Sequence, residues 1–385
     1  MSGRRARQTL APNVLRWARE RAGLEPERLA AKMRVKPDRV RDWERSGSIS
    51  LAQADGMARH TRTPLGYLFL KAPPTEELSI PDYRTHAGAA PARPTPELLD
   101  TIHLMRRRQA WMRDELVEVG AEPLAFVGIS RGESSFEAVA EAMREAFSVP
   151  AGWAATKPDW TTALRFLRDR ADESGVLTIF NGIVGNNTSR KLDRSEFQGF
   201  ALVDGHAPLV FVNAADFKAA QMFTLAHELA HLFVGAPGLS NLGGQELPRH
   251  DTERFCNAVA AEFLVPAGEM IGQWTPYAEV DEALQAAARR FKVSVLVAAR
   301  RAVNLELIRP SEFRSFYERH TGALKPSSGG GNFWNNQNTR IGRRFGSAVY
   351  RAVSAGRLTY REAYSLTGLR GDTFDNFLRR MKTAL

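Results

Sequence analysis

The chain is 385 residues long, enough for two or three domains that each bury a sizeable core. Apolar residues make up 43% and charged residues 25%, an ordinary globular balance, and no run of 18 apolar residues is present to span a bilayer, so no membrane partner is expected. The net charge of +10 sits at the ends: residues 1–70 hold 15 Lys+Arg against 7 Asp+Glu and residues 321–385 hold 11 against 3, which excludes a uniformly charged surface and assigns any polyanion to the ends and other chemistry to the acidic middle.

The N-terminal stretch MSGRRARQTLAPN is basic but lacks the apolar segment of a secretory signal, and the single Cys256 can form no intramolecular disulfide. Both point to the cytoplasm. Residues 1–70 predict five short helices. PNVLRWARERAG repeats Val14, Leu15, Trp17, Ala18 and Ala22 at helical spacing and stops at Gly23; LEPERLAAKMRV follows; KPDRVRDWERSG places Pro37 in a first turn and Gly47 as a stop. SLAQADGMARHT and PLGYLFL complete the set. The short MRV link is what two helices need to cross steeply, with Leu29, Met33, Val35, Val40 and Trp43 between them; at this spacing Trp43 is a core residue.

Through LAAKMRVKPDRVRDWERSG this segment resembles the XRE (Cro/CI-like) family of helix-turn-helix domains, although it lacks the small residue and the glutamine common at two of that family's positions. The resemblance implies that the third helix enters the major groove of double-stranded operator DNA. That helix offers Lys36, Asp38, Arg39 and Arg41 at its exposed N-terminal half; Arg39 or Arg41 suits guanine, while Lys32 and Arg45 suit phosphate. Domains of this type read paired half-sites, so a homodimer is expected.

Residues 71–96 are rich in Pro and Ala and read as a linker, followed by a helical connecting segment over 97–150, with helices at 97–120 and 134–147. VLTIF (176–180) predicts a strand, and GFALVDGHAPLVFVN (199–213) predicts two strands around a turn at Asp204 and Gly205. Helical patterns follow up to residue 235, over 251–264 and over 281–305. A flexible linker is expected over 311–338, containing KPSSGGGNFWNNQN, before basic helices over 339–385 in which Arg340, Arg343 and Arg344 share one helix side.

The stretch MFTLAHELAHLFVG (222–235) carries the chemistry. Met222, Leu225, Ala226, Leu229 and Phe233 form one apolar stripe of a helix, and Thr224, His227, Glu228 and His231 fall elsewhere on it. Residues four apart on a helix are neighbours, so His227 and His231 can aim both imidazoles at one Zn²⁺, while Glu228, turned about 100° away, can reach a water beside it. Such HExxH spacing suits hydrolysis, with Glu228 as general base. A catalytic zinc takes a third protein ligand, and PRHDTERFCNAVAAEFLVP offers Glu253, Glu262, His250 and Cys256. Nine residues along a helix turn through about 900°, so Glu253 and Glu262 face opposite sides and only one can meet the metal. Phe255, Val259 and Phe263 define the apolar stripe; Glu253 and Asn257 define the polar one, with Asn257 supporting the site; Glu262 reads as a salt-bridged rim residue and Cys256 as a packed thiol.

FTLAHELAHL followed by ERFCNAVAAEFLVP and preceded by GFALVDGHAPLVFVN resembles the ImmA/IrrE family of zinc-dependent endopeptidases over roughly residues 150–300. That resemblance implies Glu253 as third ligand and, as substrate, a partner regulator such as a DNA-bound repressor or a cognate toxin. Zincins bind substrate in extended form along an edge strand, and Leu209, Val210, Phe211, Val212 and Asn213 are the candidate strand here. The expected architecture is α+β: an all-α helix-turn-helix domain (1–70), a zincin-like peptidase domain with a small sheet (151–310) and a helical C-terminal segment (339–385). The expected function is a DNA-binding transcriptional regulator that cleaves a partner protein. Two alternatives stand beside it: a DNA-binding antitoxin or repressor whose zinc domain binds a partner without proteolysis, and a peptidase whose helix-turn-helix binds protein.

Overall fold

A computed structural model describes residues 7–76, 78, 80–82, 94–130, 135–240, 250–274, 279–321 and 333–384. The chain divides into two compact units, Met1–Ser79 with Gly88–Asp100, and Ile80–Ala87 with Thr101–Leu385. No helix among the described residues is long and apolar enough to cross a membrane.

In the first unit, α1 (Pro12–Arg21), α2 (Pro26–Met33), α3 (Pro37–Ser46) and α4 (Leu51–Thr61) enclose a core containing Val14, Leu15, Leu29, Val40 and Trp43. Each of the first three starts on a proline, whose fixed φ and missing N–H suit a first turn. Arg34, in the left-handed conformation at φ 55°, turns the chain between α2 and α3. Arg19 of α1 grips Glu44 of α3 through two hydrogen bonds of 2.6 and 3.0 Å and donates a third to the Leu24 carbonyl, so this buried charge pair is fully hydrogen-bonded. PLGYLFL closes the unit as a 3₁₀ turn, Leu65–Phe69, rather than an α-helix. A two-stranded ribbon of β1 (Arg7–Thr9) and β2 (Ser48–Ser50) was not anticipated, because three-residue strands carry no readable period.

The second unit is built around a four-stranded sheet in the order β3 (Leu177–Asn181), β7 (Leu209–Asn213), β6 (Gly199–Leu202), β8 (Gly238–Ser240), with β3 parallel to β7 and the other pairs antiparallel. β4 (Ile183–Val184) and β5 (Asn187–Lys191) form a separate hairpin. β7 therefore lies inside the sheet, hydrogen-bonded on both sides and buried throughout. Residues Leu209, Val210, Phe211, Val212 and Asn213 cannot accept a substrate strand, and the edge-strand reading is corrected.

α7 (Trp160–Glu173) and α8 (Lys218–Val234) pack on this sheet, and the unit also holds α5 (Pro96–Glu118, its part from Thr101 onward), α6 (Phe136–Ala146), α9 (Asp251–Leu264), α10 (Ala267–Ile271), α11 (Val280–Phe291), α12 (Val295–Asn304) and α13 (Pro310–Thr321), with α6 and α9 against α8. The helix expected over 281–305 is two, parted at Lys292 in the left-handed conformation. α14 (Phe333–Ile341), α15 (Arg343–Ser354), α16 (Tyr360–Thr367) and α17 (Gly371–Ala384) follow. The linker expected over 311–338 is helical at both ends, and residues 322–332 lie outside the described residues.

The C-terminal helices belong to the same unit as the sheet. Buried Arg108 of α5 donates to the carbonyls of Leu366 and Arg340, and Gly342, at φ 85°, lies against β3 so closely that a Cβ there would sit 3.1 Å from the Thr178 carbonyl oxygen. Gly342 also separates α14 from α15, so Arg340, Arg343 and Arg344 do not share a helix face, and only Arg343 is fully exposed.

Candidate metal centre

Helix α8 is sequestered almost all round. Met222, Leu225, Ala226, Leu229 and Phe233 join the main core, and the polar side chains of Thr224, His227, Glu228 and His231 are buried as well. Ionisable groups so placed need partners. The helix ends at Gly235, left-handed at φ 73°, whose N–H bonds to the His231 carbonyl at 3.0 Å. That reversal carries the Ala236 carbonyl back to His231 Nδ1 at 2.9 Å. A carbonyl only accepts, so Nδ1 carries the proton and a neutral His231 presents its lone pair at Nε2.

Helix α9 brings in Glu253. Its Oε1 lies 2.9 Å from His231 Nε2, its Oε2 lies 3.2 Å from His227 Nε2, and the two Nε2 atoms are 3.0 Å apart. Two imidazole nitrogens and a carboxylate thus converge in one buried space, an arrangement that a positive ion among them would satisfy. A tetrahedral zinc with bonds of about 2.0–2.1 Å holds its ligands roughly 3.3 Å apart, and these separations fit it. Among the described residues, His227, His231 and Glu253 are the one cluster with metal-ligand character.

The two imidazoles differ: burial lowers His227, whereas at His231 the effect of burial is outweighed by Cys256, Glu253 and Glu228 and the value is raised. Burial alone would push the Glu253 carboxyl up, but the two imidazoles outweigh it and hold it at about 2. Burial pushes the Glu228 carboxyl up to about 8, and neither of its oxygens completes a hydrogen bond, although the Ser240 hydroxyl is near enough to favour the charged form. Ser240, at the end of β8, also lies 3.2 Å from His227 Nε2.

Space for the Glu228 carboxylate comes from Gly199 of β6, where a Cβ would lie 2.8 Å from Glu228 Oε1 and 2.9 Å from the Phe211 carbonyl oxygen. Neither Ser240 nor Gly199 was found by sequence reasoning, since each reaches the site only through strand pairing. Their shared pairing, Gly199 opposite Ser240, is the signal that would have linked them.

The remaining candidates separate cleanly. Glu262 faces away and pairs with Arg301, Cys256 is a buried thiol beside His231, and exposed His250 precedes α9. Asn257 adjoins His227, yet its Oδ1 completes no hydrogen bond. The buried stripe of α9 runs through Cys256, Val259, Ala260 and Phe263, with Phe255 only half-buried.

Residues 171–303 match the family model of the IrrE N-terminal-like domain, peptidase family M78. The match spans β3 to α12 and so contains every group of the cage, and it makes this region similar to metallopeptidases of the IrrE kind. Residues 341–380 match a domain of unknown function, and no curated protein matches the chain.

In the first unit, Lys36, Asp38 and Arg41 are exposed and Arg39 is half-buried, its guanidinium 6.0 Å from the centre of the Trp43 ring. Arg41 bonds to Asp38 at 3.0 Å and to Glu27. Trp43 is fully buried, as its spacing implies.

Proposed function

We propose that the chain is a DNA-binding transcriptional regulator whose central domain is a zinc-dependent endopeptidase that cleaves a partner regulatory protein. The observation that carries this reading is the convergence of His227, His231 and Glu253 on one buried point, with an unpartnered Glu228 beside them. Zinc held there supplies polarisation of the scissile carbonyl and activation of water. Glu228 takes a proton from the attacking water and returns it to the leaving amine. Burial favours the neutral acid of Glu228, and a metal held by His227, His231 and Glu253 would favour its carboxylate by opposite charge, so the same group serves as base and then as acid. The Ala236 carbonyl holds His231 in the tautomer a ligand requires.

For the first unit, the support is the α2–turn–α3 geometry and the basic balance of residues 1–70. In this reading α3 lies in the major groove and Lys36, Asp38, Arg39 and Arg41 face it, with Arg41 exchanging its surface carboxylates for a base or phosphate at little cost. A homodimer on paired half-sites is part of the same proposal.

The test presents the purified full chain with candidate partner regulators, among them any repressor or toxin that a neighbouring gene encodes. Zinc-loaded wild type should cut one of them at a defined bond and Glu228→Gln should not; equal cutting by both would remove Glu228 from the mechanism. Binding to the chain's own promoter should weaken steeply with salt in wild type and fall in Arg39→Ala. Salt-independent binding would contradict a groove-bound α3.

A further inference from the structure

β8 is a terminal strand of the sheet, and it is the edge that adjoins the cage, because its last residue, Ser240, lies 3.2 Å from His227 Nε2. The opposite end of the sheet, β3, has the α14–Gly342–α15 junction against it. An exposed strand edge invites any extended peptide to add to it. Here β8 is already engaged by the chain itself. Asp82 pairs with Leu239 in parallel register, and the Leu239 N–H donates to the Pro81 carbonyl at 3.0 Å. Ile80, just before them, is buried at 4% exposure.

We infer that Ile80–Asp82 is a built-in occupant of the substrate edge: the chain covers, with its own backbone, the strand to which an extended peptide substrate hydrogen-bonds, and the centre opens when that segment lifts. This rests on the peptidase reading for its meaning, though not for its test.

The chemistry of this segment fits a removable cover better than a permanent strand. Its middle residue, Pro81, has no N–H, so it accepts one bond from β8 and can donate none, and a competing peptide without proline there gains a donor.

The experiment uses the full-length protein, amide hydrogen exchange at Leu239, and a fluorescein-labelled synthetic peptide ELSIPDY, the sequence of residues 77–83. In wild type the Leu239 amide should be protected and the peptide should not bind. In Ile80→Asp, Leu239 exchange should rise on the order of tenfold or more and the peptide should bind saturably. Should Ile80→Asp unfold by circular dichroism, Ile80→Ala makes the same test with a milder change. Unchanged Leu239 protection in a folded variant, or an exposed edge that takes up no peptide, overturns the inference. Neither readout needs zinc or catalysis, so loss of hydrolysis in Glu228→Gln with these results intact would bear on the peptidase reading alone.

Discussion

Helix α9 carries two buried carboxylates nine residues apart, and their surroundings differ in kind. At one end Glu262 is closed by its neighbours. It pairs with Arg301, whose Nε donates to the Val265 carbonyl, and its Oε1 accepts from the Ala267 N–H at 3.2 Å. At the other end Glu253 meets two imidazoles whose donor atoms are 3.0 Å apart, while beside it both oxygens of Glu228 and His227 Nδ1 have no hydrogen-bond partner. A satisfied buried pair needs nothing further, whereas an unsatisfied one must be completed by something the protein binds. Burial and charge are similar at the two ends, so hydrogen-bond completeness is what distinguishes structure from function.

The largest expected effect breaks the comparison at its open end. Glu253→Ala should lower zinc affinity by well over the 10–100-fold that loss of a supporting hydrogen-bond partner typically costs, read by competition with a zinc-sensitive dye. Next, Glu228→Gln should keep its zinc while partner cleavage slows by about 10²- to 10⁴-fold, the usual share of general acid–base work, measured as initial rates. At the closed end, Glu262→Ala should leave zinc affinity unchanged but strand Arg301 in the interior, costing about 3–5 kcal/mol in urea unfolding. A loss of zinc instead of stability in that variant would erase the distinction.

Asp172 sharpens the comparison as an intermediate case. Its Oδ1 accepts from the Thr178 hydroxyl at 2.6 Å, but Oδ2 has no hydrogen-bond partner, and burial raises its carboxyl to about 6. A folded-state value above the unfolded one means the fold binds more protons. Its contribution to stability is therefore complete below about pH 4 and lost as pH rises through about 6, with a swing bounded near 3 kcal/mol at 1.36 kcal/mol per unit. Asp172→Asn should flatten that part of the stability–pH curve; an unchanged curve would place the proton elsewhere.

Much of the open end is legible in the sequence itself. Two histidines at i and i+4 must share a helix face, and two glutamates nine residues apart on α9 must face opposite ways, so helix geometry pairs His227 with His231 and admits only one of Glu253 and Glu262, while the resemblance to the ImmA/IrrE family selects Glu253. The remaining contacts depend on pairing between distant segments. Ser240 and Gly199 reach the cage because β8 pairs with β6, and the Ala236 carbonyl reaches His231 because Gly235 turns left-handed. LVFVN misled for a different reason. A continuous apolar run marks a strand buried on both faces, and that favours the sheet interior over its edge. The break at Lys292 had no signal, since lysine seldom takes the left-handed conformation.

X-ray absorption at the zinc edge on the purified full-length chain tests the central claim most directly. Stoichiometric zinc bound by two imidazole nitrogens and one carboxylate is the expected spectrum. A sulfur ligand, which would bring Cys256 into the coordination sphere, or a chain that takes up no zinc, would contradict it.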